Sequence, residues 1–119
     1  MAFTVAAENA ALTGIVNPGG TPSNRHISLH TADPGLTGTS EVTGGSYARV
    51  ATTWGSVASS SVTGSAVTIN VPAGTTITHW GVWSALSAGT FIYGGALPAS
   101  ETFGSNGTYS LTPTLTASD

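Results

Sequence analysis

From Arg25 onward the chain is written in short alternating runs interrupted by turn residues about every ten positions, and this punctuation constrains the fold more than any other feature. Ser65-Ala-Val-Thr-Ile-Asn-Val71 places Val67, Ile69 and Val71 on one face of an extended strand, because successive side chains of a strand alternate sides. His26-Ile-Ser-Leu-His-Thr31, Tyr47-Ala-Arg-Val-Ala-Thr-Thr53, Ile77-Thr-His-Trp-Gly-Val-Trp-Ser84 and Thr90-Phe-Ile-Tyr93 read the same way. A last strand runs from Thr108 to Thr116 and is interrupted by Pro113, which marks an edge strand or a bulge. Asp33-Pro34-Gly35 and Pro72-Ala-Gly-Thr75 supply turns, the first with Pro and Gly where a type II turn takes them. Ser56 to Ser65 reads as a polar loop. The expected architecture is all-β: a single antiparallel β-sandwich, jelly-roll-like or immunoglobulin-like, over residues 25–119.

Residues 1–24 speak a different language. Thr4 is a candidate N-cap, Val5 to Leu12 is alanine-rich, and Gly14 is a plausible stop. Val5 and Leu12 lie seven apart and so share a face, available for docking on the body or on a neighbour. The helix is too short to persist alone in water. Asn17-Pro-Gly-Gly-Thr-Pro-Ser-Asn24 is a breaker-rich connector between this helix or arm and the sandwich.

Composition then narrows function. Charged residues are 6% of the 119-residue chain, against roughly 25% in an ordinary soluble domain. The cations are Arg25 and Arg49, and the formal net charge is -3, so nucleic acid is excluded as a partner: two arginines neutralise too few phosphates. Serine, threonine and glycine fill the space that charge usually takes. Short uncharged side chains lose little rotamer entropy on being covered, and interfaces are depleted in Lys, Glu and Asp. Such a surface suits a life packed against other copies or a larger assembly. With no cysteine, disulfides and thiolate chemistry are excluded. The amino terminus has neither the basic start nor the apolar core of a signal peptide, and no run of 18 apolar residues suggests membrane insertion.

Catalytic and metal constellations are not apparent. His26 and His30 are four apart, which on a strand is about 13 Å, too far to share one ion. A calcium held by Asp33 and Glu41 has no EF-hand spacing behind it. No nucleophile elbow, zinc-protease motif or phosphate loop occurs, and serines with His79 and Asp33 make a triad possible only arithmetically. The expectation is a non-enzyme without cofactor or metal.

Several runs carry a resemblance: Ser28-Leu-His-Thr-Ala-Asp-Pro-Gly35, Gly38 to Val42, Gly44-Gly-Ser-Tyr-Ala-Arg49, Trp54-Gly55, Val71 to Thr75 and Thr78-His-Trp-Gly-Val-Trp83. The chain resembles a family of small tailed-bacteriophage virion proteins described as minor tail, tail-fibre-like or capsid-associated. The resemblance covers most of the chain and implies a structural role in the virion after assembly in the host cytoplasm. The protein would be repeated as a capsid decoration or cement, or as a minor tail component, against major capsid or tail proteins and copies of itself. The alternative is a tail-fibre module that binds host-surface glycan or receptor.

Within these motifs Asp33, Glu41 and Arg49 form a candidate loop clamp, since arginine forks onto carboxylates and carbonyls; the alternative is a solvated arginine at a strand edge. Trp80 and Trp83 point to opposite faces of one strand. Either that strand is central and covered on both sides, with Trp83 in the core and Trp80 under the amino-terminal helix, or an indole faces outward. Val5, Leu12, Trp54 and Trp80 are therefore the candidate interface residues, and sugar stacking on an exposed aromatic pair is a further use.

Overall fold

The computed structural model describes residues 3–17 and 25–117; the Pro/Gly connector expected at 17–24 lies, beyond Asn17, outside them. Helix α1 spans Val5–Val16. Thr4 is its N-cap, the side chain accepting from the Ala7 N–H at 3.1 Å, which satisfies one of the orphan donors of the first turn. The helix runs past Gly14 and closes where the Asn17 N–H donates to Thr13 O at 2.7 Å. Gly14 fails as a stop because nothing forces a left-handed backbone there.

Among the described residues eight strands follow: β1 (Arg25–His30), β2 (Val50–Thr52), β3 (Ser61–Thr63), β4 (Val67–Val71), β5 (Thr75–Trp83), β6 (Phe91–Phe103), β7 (Gly107–Leu111) and β8 (Thr114–Thr116). All pairings are antiparallel. One sheet has the order β2-β1-β5-β6, and the ribbons β4-β7 and β3-β8 face it, giving the expected β-sandwich with an amino-terminal helix. In the register of β1 on β5, Ile27 opposes Val82 and Leu29 opposes Trp80. These residues share a buried core with Val62, Ile69, Ile77 and Leu115 from the other elements.

The helix completes this core. It buries Glu8, Leu12 and Val16 and packs against β3. Ser59 and Ser60 make a two-residue hairpin turn, both with positive φ (52° and 60°), between Ala58 and Ser61, which exchange two 3.0 Å hydrogen bonds. The helix grips this turn: the Ser60 hydroxyl donates to Glu8 Oε1 at 2.5 Å and the Ser60 N–H to Asn9 Oδ1 at 2.7 Å. Arg25 Nε donates to Ile15 O at 2.8 Å near the other end.

In the strand region, four stretches differ from the sequence reading. The strand expected at Thr90–Tyr93 continues through Gly94-Gly95 to Phe103, and β6 protects its long free edge with Pro98, Glu101 and a register shift between Ile77 and His79. The polar stretch 56–65 contains β3, whose Val62 is buried. The run from Thr108 to Thr116 breaks at Thr112-Pro113 into β7 and β8, which pair with different partners. The strand read from Tyr47 begins only at Val50, where pairing with Ile27 starts, while the side chains of Tyr47 and Arg49 before it turn to Glu41.

Candidate functional site

On the face of the main sheet opposite the core, β1 and β5 present His26 beside Trp83, Ser28 beside Gly81 and His30 beside His79. This face is covered by the segment that follows β1. Asp33 opens it by accepting the Gly35 N–H at 2.9 Å, with Gly35 at φ 62°. The Gly38 and Thr39 N–H groups both reach Pro34 O, at 2.9 and 3.1 Å. The segment then returns through Ser40, whose φ is 63°, to bridge Glu41 with His30. Glycines permit this closeness: a Cβ on Gly94 would lie 2.6 Å from Pro34 Cγ, and one on Gly38 would collide with the Trp83 indole.

Arg49 locks the arrangement. Its Nε and Nη2 fork onto Glu41 Oε2 and Oε1 at 2.9 and 2.8 Å, and its Nη1 donates to the carbonyls of Ala85 and Ala88 at 3.0 and 2.8 Å. Its Cζ lies 3.7 Å from the centre of a Trp83 ring, a cation–π contact. The arginine side chain is only 9% exposed. Tyr47 donates its hydroxyl proton to Glu41 Oε2 at 2.7 Å and accepts from the Leu29 N–H at 3.1 Å. Burial opposes charge on Glu41, yet the hydrogen bonds from Arg49 and Tyr47 and the Arg49 charge outweigh it and hold the carboxyl below its ordinary value. Burial, with the bond to Glu41, pushes the Tyr47 hydroxyl well above the ordinary phenol range.

Beneath the segment lies a buried hydrogen-bond chain. His30 Nδ1 faces Thr39 O at 2.8 Å, His30 Nε2 faces Ser28 Oγ at 2.7 Å, and Trp83 Nε1 donates to the same Oγ at 3.0 Å. A carbonyl only accepts, so the proton of the neutral imidazole sits on Nδ1. Ser28 therefore donates to Nε2 while accepting from the indole, and every polar group is satisfied. Burial is the main cause that lowers the His30 pKa below its ordinary 6.5. This Ser–His pair is not a nucleophile site: both residues are fully buried and the base is oriented by a carbonyl rather than a carboxylate. Among the described residues no group of three His, Asp or Glu side chains is placed to hold a metal ion.

The structure distributes the sequence-derived candidates as follows. Arg49 and Glu41 come together, whereas Asp33 lies outside the clamp and turns its carboxylate to the local Gly35 turn. Leu12 is buried in the chain's own core, while Val5 in the first helical turn is 55% exposed. Trp54 is half-buried against the core. Trp80 and Trp83 are each 8% exposed, so β5 is a central strand covered on both sides. Neither indole takes the place expected for it, Trp83 in the core and Trp80 under the helix. Trp80 joins the core cluster and packs at 5.5 Å on Tyr93, and Trp83 lies beneath Gly38, Arg49 and Phe91. Sequence reasoning missed Tyr47, the carbonyls of Ala85 and Ala88, and the grip of Glu8 and Asn9 on Ser60. The one available signal was Glu8, a scarce charge set within an alanine helix.

What the site does chemically is hold loops. Its outer surface carries exposed Leu36 and Leu86, but its polar groups face inward. A second exposed surface is the outer side of α1, where Val5, Ala6, Ala7, Ala10, Ala11 and Thr13 carry no charge because Glu8 turns inward.

A family model described as Gp80, podophage GP4 fiber I protein gp80, matches residues 3–116. No curated protein matches the chain. With nearly its whole length matched, the chain belongs to this family of bacteriophage fibre proteins, and the membership supports a virion structural role of tail-fibre type.

Proposed function

We propose that this chain is a non-enzymatic building block of the virion, present in repeated copies and attached to its neighbours, copies of itself among them, through the outer side of α1. The family match carries the virion role. The surface chemistry supports the attachment. The body covers the side of Glu8, Asn9, Leu12, Ile15 and Val16, and the opposite side, mostly alanine with Val5, carries no charge to keep a neighbour away. A two-fold contact between identical faces places like charges near one another around the axis, and this face has none to repel. Phe3 and Val5, two of the large exposed apolar side chains, extend it. A minor tail or fibre position agrees with the family's description as a fibre protein, which favours it over a capsid decoration.

The direct test is incorporation. Ala10→Glu places a charge on the outer side without touching the Leu12 and Val16 anchor. Particles assembled with this variant should lack the chain, while the purified variant keeps the wild-type circular dichroism and melting temperature. Normal incorporation of a folded Ala10→Glu chain would remove the helix as the attachment surface. Absence of the wild-type chain from purified particles would remove the virion role itself.

A further inference from the structure

We propose that the segment 31–41 is an acid-released strap, held closed by the buried chain Trp83–Ser28–His30–Thr39 and freed when His30 takes up a proton. The polarity of the chain makes it sensitive. In the closed state each hydrogen is directed one way: indole N–H to Ser28 Oγ, Ser28 O–H to His30 Nε2, and His30 Nδ1–H to Thr39 O. An imidazolium has two donors and no acceptor. Its new Nε2–H would point at an oxygen that already receives the indole, and the Ser28 hydroxyl proton would lose its acceptor in a fully buried site. A buried donor without a partner is costly, and so is an uncompensated buried charge.

The surroundings offer the cation little relief. Phe91 packs edge-on at 6.0 Å, and Gly81 of β5 leaves no space, since a Cβ there would lie 2.7 Å from Ser28 Oγ and 2.9 Å from His30 Nε2. The charged and titratable groups facing His30 are Glu41 at the end of the strap, Arg49, and His79 across the β1–β5 pair. Glu41 favours the cation, but its carboxylate is already engaged by Arg49 and Tyr47. Arg49 and His79 oppose it. Opening the strap admits water to His30 and resolves the conflict. It also releases the positive-φ backbone of Ser40, moves the exposed Leu36, and uncovers Trp83. The segment is anchored at its end, where Arg49 and Tyr47 hold Glu41 and the Val42 N–H donates to Leu29 O, whereas its middle is attached through Thr31 N–H to Ser40 O and the Thr39 carbonyl on His30, so the middle can lift while Glu41 stays clamped and the core on the other face of the sheet stays intact.

The test is amide hydrogen exchange of the full chain at pH 7 and pH 5, corrected for the chemical exchange rate, with NMR titration of the His30 ring. Opening linked to one proton should grow by up to about tenfold per pH unit below 6.5. Amides of residues 31–41 should then exchange many-fold faster at pH 5 while those of β4 do not change. His79→Gln should keep the response and His30→Gln should abolish it. If His30→Gln does not fold, the wild-type titration decides: the ring should gain its proton together with loss of strap protection. A strap equally protected at both pH values, a response that survives in His30→Gln, or a ring protonated beneath a protected strap would each overturn the proposal.

Discussion

Arg49→Lys separates geometry from charge at the centre of the outer face. The arginine makes four hydrogen bonds, two to Glu41 and one each to the Ala85 and Ala88 carbonyls, and stacks on Trp83. A lysine keeps the positive charge, so Glu41 is not left alone. Its three donors radiate from one atom, however, and cannot serve Glu41 and both carbonyls while lying flat on an indole. Two charge-assisted bonds at about 1.5 kcal/mol each and a stacking contact of about 1 kcal/mol are at risk. Ala88 is exposed, so its carbonyl recovers a bond to water and reduces the total. The expected loss is about 2–3 kcal/mol, a large part of the 5–15 kcal/mol that holds a domain together. Urea unfolding followed by tryptophan fluorescence should show a lower midpoint at unchanged slope. Because the pair is largely buried, 0.5 M salt should leave the difference in place. Arg49→Ala should cost more, about 3–5 kcal/mol, since it strands a buried carboxylate. A lysine variant within about 0.5 kcal/mol of wild type would refute the clamp.

Other expectations follow from neighbouring features. Gly38→Ala should cost at least about 2 kcal/mol in the same assay, because φ is 79° and the new methyl meets the Trp83 ring. Leu12→Ala should cost about 2–5 kcal/mol and loosen α1, seen as faster exchange of its amides. Ser59→Asn, at a φ of 52° in the hairpin turn, should stabilise by about 0.5 kcal/mol because asparagine tolerates that backbone. Glu41 is held below its ordinary 4.5, so the folded state binds fewer protons there. Its stabilisation is present above 4.5 and lost as pH falls through the folded value; Glu41→Gln should flatten that limb of an acid-unfolding curve. Tyr47 is raised above 10.0, so its contribution is complete below pH 10 and lost as pH rises beyond it, a limb that Tyr47→Phe should remove.

Much of the fold was legible because burial on one face of a strand imposes alternation. Val67, Ile69 and Val71 declared β4, and Thr4 declared the start of α1. What escaped was set by tertiary contact. Gly94-Gly95 read as the end of a strand, yet these glycines admit Pro34 and the Trp80 indole against β6, so the strand continues. β3 is too short to show a period, and its single buried Val62 looks like an accident in a polar loop. The pairing of Arg49 with Glu41 was readable from the scarcity of charge. Asp33 is equally scarce, but its place before Pro-Gly commits it to the turn. Tyr47 and the stretch from Trp83 to the Ala85 and Ala88 carbonyls reach the same site from two distant segments, a convergence that spacing along the chain does not encode. The misplacing of Trp80 and Trp83 has the same origin: alternation places them on opposite faces but does not say which face meets the core.

The claim that this chain is a repeated structural part of the virion is tested most directly by immunogold labelling of intact particles with an antibody to the folded protein. The account predicts several gold particles per virion, gathered at one structure of the tail apparatus and absent from particles assembled with Ala10→Glu. Purified, infectious particles that carry no label, and no chain by mass spectrometry, would contradict it.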